Sequence, residues 1–85
     1  MFSVKFGSQA KKFLKNSESD VIDRILERIE LLKINPFPQD VKRVENKKEK
    51  IFRVRVGKYR IQYSVFYDKN LLFISEIDKR SRAYD

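Results

Sequence analysis

Histidine, cysteine and tryptophan are absent from this chain of 85 residues, and it has only two glycines and two prolines. Without Cys and His it lacks disulfides, thiolate chemistry, the usual zinc ligands and the commonest general base. Its 12 acidic residues are scattered singly along the sequence, many of them beside basic residues. We therefore expect neither a metal nor any other cofactor.

Long apolar runs are also absent. No segment approaches the roughly 20 apolar residues that span a membrane, and residues 1–6 lack the layout of a signal peptide. We expect a cytoplasmic protein with no membrane partner. The length fits a single domain, residues 1–85, with a small core.

The net charge is strongly positive and unevenly distributed. The chain carries 20 Lys and Arg against 12 Asp and Glu, a net charge of +8. Residues 1–40 hold seven basic and six acidic side chains, whereas residues 41–85 hold thirteen and six. Residues 42–60 alone contain nine basic side chains against Glu45 and Glu49. Such a concentrated positive field predicts a polyanion or an acidic protein as partner.

Residues 51–65 contain two segments of alternating character, separated by Gly57 and Lys58. Two such runs joined by a Gly-first dipeptide predict a β-hairpin, because Gly readily adopts the positive φ that opens a type II′ turn. With these two residues as the loop, Arg55 faces Arg60 across the hairpin. One face then carries the apolar side chains Phe52, Val54, Val56, Tyr59, Ile61 and Tyr63.

The other face of the hairpin gathers Arg53, Arg55 and Arg60 with Gln62. Like charges directly opposite one another destabilise a hairpin unless an anion lies among them. A single surface arginine usually belongs to a solvated charged face. Three arginines on one small face instead favour a phosphate-binding site, and the solvated face is the alternative.

A short strand and a short helix are predicted at the start of the chain. Apolar and polar side chains alternate over residues 2–6, as in a strand with one buried face. Ser8 is suited to cap a helix that carries Ala10 and Phe13 on its apolar side. Residues 16–19 then interrupt the helix.

A longer helix is predicted over residues 20–34. Ser17 and Asp20 resemble a capping box at its start. Its apolar residues recur at spacings of three and four, which is typical of one helix face packed on a core. They are Val21, Ile22, Ile25, Leu26, Ile29 and Leu32. Pro36 and Pro38 end the helix, because proline cannot continue its hydrogen bonds.

The remaining segments predict further strands. Residues 42–45 start one, residues 46–50 form a polar loop, and residues 71–77 form the last strand after a turn at 67–70. We assign four residues to its core face: Leu71, Phe73, Ser75 and Ile77. Glu76 then lies on the face of the arginines, where it can pair with one of them.

The order of elements is strand, helix, helix and three strands, β-α-α-β-β-β. The hairpins leave one apolar sheet face to be covered by the two helices. We therefore predict an α+β fold in two layers, with a mainly antiparallel sheet covered on one face by two N-terminal helices.

The hairpin and the end of the chain together resemble a known family. Residues 52–63, with a Tyr-Arg-apolar-x-Tyr segment after the Gly turn, and residues 79–84 look like the RelE/ParE superfamily of toxins. The resemblance covers almost the whole chain. It implies a toxin of a type II toxin–antitoxin system. RelE-type members cut mRNA in the ribosomal A site and are silenced by an acidic antitoxin, whereas ParE-type members act on DNA gyrase.

The resemblance also implies roles for individual residues. Arg53, Arg55 and Arg60 would hold the scissile phosphate and stabilise the charge of the transition state. Arg80 would be the C-terminal catalytic arginine, and Tyr84 the aromatic residue that stacks on or aligns a base. Arginine cannot readily lose a proton, so the general base stays unassigned.

Further basic residues are candidates for binding RNA or the ribosome, because they lie in the lysine loop, at the hairpin turn or near the C-terminus. They are Lys47, Lys48, Lys50, Lys58, Lys79 and Arg82. Glu45 and Asn46 stand where many members of the family have a basic residue and Gly, so Lys47 or Lys48 would have to substitute. Lys79 stands where some members have His. The lysine loop could equally be a solvated connector.

We therefore expect a metal-independent endoribonuclease that cleaves mRNA on the ribosome and has an acidic antitoxin as its protein partner. A ParE-type gyrase inhibitor and a non-catalytic basic RNA-binding domain are the alternatives. Arg80 and Tyr84 favour the nuclease, and the lack of a usual general base favours the RNA-binding domain.

Overall fold

The computed structural model describes residues 1–45 and 48–79, which form two α-helices and one five-stranded sheet. The elements are β1 (Ser3–Phe6), α1 (Ser8–Lys15), α2 (Ser19–Ile34), β2 (Lys42–Arg43), β3 (Phe52–Val56), β4 (Tyr59–Phe66) and β5 (Leu71–Lys79). The strand order is β1-β5-β4-β3-β2, with β1 parallel to β5 and every other pair antiparallel. This confirms the predicted α+β fold, although four strands follow the helices where three were predicted, because the two-residue β2 pairs with β3 as a separate strand. No helix in this part of the chain is long and apolar enough to cross a membrane.

β3 and β4 form the predicted hairpin. Their cross-strand pairs follow the predicted register from the pair beside the turn to Phe52 and Tyr63. Gly57 has a φ of +58°, and Lys58 is not among the residues with positive φ. This combination matches a type II′ turn, since a type I′ turn needs positive φ at both positions. The hairpin prediction is confirmed.

The pairing of β4 with β5 contains a bulge. Gln62 pairs with Glu76, but the next residue, Tyr63, pairs with Ile74. Ser75 is therefore the extra residue on β5. A bulge lets two residues of one strand oppose one of its neighbour, so the inside-outside alternation changes phase there.

The bulge corrects the predicted core face of β5. Ile77 is buried as predicted, but on the other side of the bulge Leu72 and Ile74 are the buried residues. The residues wrongly assigned to the core face are Leu71, Phe73 and Ser75. Glu76, which precedes Ile77 in the strand, lies on the arginine face as predicted.

Both helices contribute to one core on the face of the sheet that carries Val54, Ile61 and Tyr63. The buried residues of α2 are Val21, Ile25, Ile29 and Leu32, and α1 adds Ala10. These positions share one helix face because they recur every three or four residues. Leu26 was assigned to the same stripe, but it lies at its margin with 39% of its surface exposed.

The helices begin without the predicted side-chain caps. Gly7 precedes α1 and Glu18 precedes α2, and neither position makes a side-chain capping hydrogen bond. Ser8 is itself the first helical residue, so it does not occupy the capping position. The Ser17 hydroxyl donates to the carbonyl of Phe13 at 2.6 Å, at the end of α1. Both capping predictions are wrong.

Gln9 continues the pairing of β5 beyond the end of β1. Its Nε2 donates to the carbonyl of Ile77, and the backbone N–H of Ile77 donates to its Oε1, both at 2.9 Å. The side-chain amide thus takes the place of a strand peptide group. Ile77 is fully buried, so an unpaired backbone here would be costly. This contact attaches α1 to the sheet.

Two side-chain contacts fix the segment between α2 and β2. The buried Tyr63 hydroxyl donates to the carbonyl of Pro36 at 2.6 Å, and burial raises the pKa of Tyr63. Arg28 of α2 donates from Nη2 to both carboxylate oxygens of Asp40 at 2.7 Å. The segment therefore enters β2 from a defined position beside β3.

Candidate functional site

The sheet face opposite the helices, which we call the outer face, carries the predicted arginines. Arg53, Arg55 and Arg60 alternate along β3 and β4 with the buried Val54 and Ile61. Alternation with a period of two therefore directs the arginines away from the helices. Arg55 and Arg60 are direct cross-strand partners. The sheet thus brings together the three arginines that the sequence assigned to phosphate binding.

Asp78 of β5 is the cross-strand partner of Arg60 on the side away from Arg55. Nε of Arg60 donates to Oδ1 of Asp78 at 3.1 Å, and Nη2 donates to Oδ2 at 3.4 Å. The carboxylate offsets part of the repulsion between the two arginines. We predicted such a role for Glu76, which lies on the same face but opposite Gln62.

A cleft of about 160 Å³ lies beside β3 and reaches the outer face. It is lined by Asp40, Lys42, Arg53, Val54 and Arg55. Lys42 is the cross-strand partner of Arg53 and adds a fourth basic side chain to this region. The hydrogen bond from Arg28 is the main reason that the pKa of Asp40 is lower than usual. The cleft is therefore basic, with one ionised carboxylate at neutral pH.

The predicted lysines lie around the arginines rather than among them. Lys58 is exposed in the hairpin turn, next to the strand ends that carry Arg55 and Arg60. Lys48 and Lys50 are exposed before β3, at the opposite end of the hairpin.

Lys79 does not lie on the same face of the sheet as the arginines. It is the cross-strand partner of Tyr59, a residue that packs against the core, and so its register places it on the helix side. Four predicted residues lie outside the described ranges: Lys47, Arg80, Arg82 and Tyr84. Their roles stay predictions.

The structure adds site residues that sequence reasoning missed. Asp78 was placed in the C-terminal tail, although extending the last strand by one residue would have put it on the same face as Glu76. Lys42 was counted only in the overall charge, because its pairing with Arg53 depends on the register of a two-residue strand. Asp40 gave no local signal, since its partner Arg28 is 12 residues away.

The outer face is suited to binding a phosphodiester. Guanidinium groups offer several N–H donors in a plane that matches phosphate oxygens, and they stay charged at any physiological pH. Fixed cations stabilise negative charge that develops in a transition state. Among residues 1–45 and 48–79, no group of three or more acidic side chains lies together in a way that could hold a metal ion.

Both the sequence and the fold are similar to those of known toxins. The family described as "ParE toxin of type II toxin-antitoxin system, parDE" matches residues 2–84. The chain is also 37% identical over 86 aligned residues to a candidate toxin named RelE1 from Methanocaldococcus jannaschii. That alignment covers 98% of this chain and 94% of the relative.

Solved structures of similar fold include RelE proteins from an archaeon and a bacterium. The archaeal RelE–RelB complex of Pyrococcus horikoshii OT3 contains a chain that is 30% identical, with a TM-score of 0.81 over 96% of this chain and 98% of that one. The isolated E. coli RelE toxin has a TM-score of 0.82 over 99% of this chain and 89% of its own, at 16% identity. At that identity the likeness concerns the fold alone.

Proposed function

We propose that this chain, which belongs to the ParE toxin family of type II toxin–antitoxin systems, is an endoribonuclease that cleaves mRNA on the ribosome. The observation that carries the proposal is the cluster of Arg53, Arg55 and Arg60 on one sheet face. The RelE names of its relatives also support a nuclease.

The proposed reaction is attack of a ribose 2′-oxygen on the adjacent phosphorus atom. The 2′-hydroxyl gives up its proton as the 2′-O–P bond forms, and the 5′-oxygen takes up a proton as its bond to phosphorus breaks. The products are a 2′,3′-cyclic phosphate and a 5′-hydroxyl. Arg53, Arg55 and Arg60 align the phosphate and stabilise its extra negative charge in the transition state. Arg80 and Tyr84 are proposed to complete the site as a further cation and a base-stacking ring, the latter worth about 1–3 kcal/mol.

Proton transfer is the part of the reaction for which the chain is least equipped. It has no His or Cys, and guanidinium groups do not act readily as bases. A site that aligns a phosphate and stabilises its negative charge without a histidine gains most from a larger assembly that fixes the RNA. This supports action on the ribosome rather than on free RNA.

An acidic antitoxin is the proposed protein partner. The Pyrococcus relative forms a complex with RelB. In this chain, the excess of basic residues in 42–60 would attract an acidic segment onto the outer face and the groove beside the helices. The affinity of a coexpressed complex should therefore fall as salt concentration rises. An affinity indifferent to salt would contradict this electrostatic argument.

Inhibition of DNA gyrase is the second candidate function, and the matching family, which is described by the name ParE, favours it. The two functions are separated by adding the purified protein to a translating extract and to a gyrase supercoiling assay. Mapped cuts in mRNA with unaffected supercoiling support the nuclease. Inhibited supercoiling without cuts supports the gyrase inhibitor, and RNA binding without either would leave a non-catalytic RNA-binding domain.

Variants of the proposed site make the nuclease test specific. Arg60→Ala and Arg80→Ala should each slow single-turnover cleavage of ribosome-bound mRNA by about 10²-fold or more, with a much smaller effect on binding. Lys11→Ala, at an exposed position of α1, is the control. Tyr84→Phe should retain activity if the ring only stacks. Near-normal cleavage by both arginine variants would contradict the proposed site.

A further inference from the structure

The ion pair between Arg60 and Asp78 has a geometry that fixes the orientation of a guanidinium. Two N–H groups on one edge of Arg60 point at the two oxygens of one carboxylate, at 3.1 and 3.4 Å. The side chains are only 21% and 33% exposed. A two-point contact of this kind fixes the plane of the guanidinium, whereas a single hydrogen bond would let it rotate.

The register also places Arg60 between two charged neighbours. Arg55, Arg60 and Asp78 form one row across β3, β4 and β5, so Arg60 lies between a cation and an anion. Arg55 repels the guanidinium and Asp78 attracts it. Asp78 engages two of the five N–H donors of the guanidinium.

We propose that Asp78 is a positioning residue, which holds Arg60 in the orientation needed to meet the scissile phosphate. This inference rests on the proposed nuclease function, in which Arg60 contacts that phosphate. Asp78 itself has no contact with RNA and acts through Arg60. Without the Asp78 carboxylate, the Arg60 side chain must become ordered during the reaction. That ordering lowers the cleavage rate, even though removal of the carboxylate makes the site more positively charged.

The test separates positioning from simple charge balance. Asp78→Asn should slow single-turnover cleavage of ribosome-bound mRNA by about 10-fold or more, because small misplacements of a reacting group are costly. Binding of the same complex should be unchanged or tighter, since a negative charge has been removed. Glu76→Gln is the matched control, because it removes the same charge from the same face and strand. It should leave the cleavage rate unchanged.

A double-mutant cycle tests whether Asp78 acts through Arg60. In an Arg60→Ala background, Asp78→Asn should cause no further loss of cleavage. A further loss equal to that in the wild-type background would overturn the proposal, and so would unchanged cleavage by Asp78→Asn alone. Asp78→Glu keeps the carboxylate and should retain more activity than Asp78→Asn.

A final measurement depends on neither nuclease activity nor the folding of a variant. NMR relaxation of the arginine Nε–H groups in the wild-type protein should show Arg60 as rigid as the backbone. Arg43, exposed on the edge strand, is the internal comparison and should be mobile. Arg60 as mobile as Arg43 would overturn the proposal. A rigid Arg60 in a protein that cuts no RNA would instead contradict the proposed function while leaving the ordering by Asp78 intact.

Discussion

At the scale of single residues, the effect of each charged side chain depends on the partner that the fold gives it. Arg60 has Asp78 and Arg28 has Asp40, and both carboxylates are held through two oxygens. The first pair lies within the sheet, whereas the second links α2 to the segment before β2. The second pair also borders the site, because Asp40 lines the cleft beside β3 with Arg53 and Arg55.

The pair of Arg28 and Asp40 predicts a pH dependence of stability. Because Arg28 lowers the pKa of Asp40 in the folded protein, the native state favours the ionised form. The ion pair therefore stabilises the folded protein fully above the unfolded-state pKa of about 3.9. This stabilisation is lost as the pH falls through the lower pKa of the folded state. It should amount to less than about 1 kcal/mol, since 56% of the Asp40 side chain is exposed.

Urea unfolding of wild type and Asp40→Asn between about pH 2 and 7 checks this prediction. The variant should be less stable at neutral pH, and the difference should vanish at the acid end. Asp68→Asn, in the exposed turn before β5, is the control for the loss of one aspartate side chain outside the pair. A difference for Asp40→Asn that persists at the acid end would contradict the assignment to the ionised pair.

Neighbouring residues of β3 should respond differently to truncation. Val54 is 1% exposed in the core, whereas Arg55 lies on the outer face. Val54→Ala and Ile61→Ala should each lower the free energy of unfolding by roughly 2 kcal/mol. Arg55→Ala should change it little or raise it, because a cation facing Arg60 is removed. Thermal and urea unfolding measure both effects, and a comparable loss in Arg55→Ala would show that contacts of Arg55 outweigh the repulsion.

At the scale of elements, the sequence predicted the hairpin in detail and the last strand only in part. The hairpin could be predicted because Gly57 fixes the turn and a two-residue loop fixes the register. The turn before β5 is a 3-10 turn over Tyr67–Lys69. Unlike a two-residue loop, it does not fix the register between β4 and β5. The bulge at Ser75 then shifts the alternation, and no local residue signal marks it. Asp78 was missed because the predicted strand ended at Ile77, whereas β5 continues to Lys79.

Gln9 shows a further limit of local reasoning. In the sequence it is a polar residue on the surface of a short helix. Its side-chain amide replaces a strand peptide group only because it meets Ile77 of β5, which is 68 residues away. Gln9→Leu should lower the free energy of unfolding by about 2 kcal/mol, because two buried backbone groups of Ile77 lose their partners. Lys12→Leu puts the same side chain on an exposed position of α1 and should cost much less. Equal losses in the two variants would contradict the role of Gln9.

At the scale of the whole molecule, the core and the arginines of the hairpin lie on opposite faces of one sheet. The helices cover one face, and Arg53, Arg55 and Arg60 lie on the other, away from the core. Composition alone predicted a polyanionic partner, and periodicity predicted the face. The pairing of Lys42 with Arg53 and of Asp78 with Arg60 required the full strand order, because these partners come from different parts of the chain.

This division predicts how RNA binding depends on salt. Each phosphate contact with a single strand contributes a slope of about −0.7 to the plot of log affinity against log salt. Arg53→Ala and Lys42→Ala, both on the outer face, should each make the slope for a single-stranded RNA oligonucleotide shallower by about that amount. Lys11→Ala, on α1 at the other side of the molecule, removes the same net charge and should leave the slope unchanged. If all three variants reduced the slope equally, the RNA would be responding to the net charge of +8 rather than to the outer face.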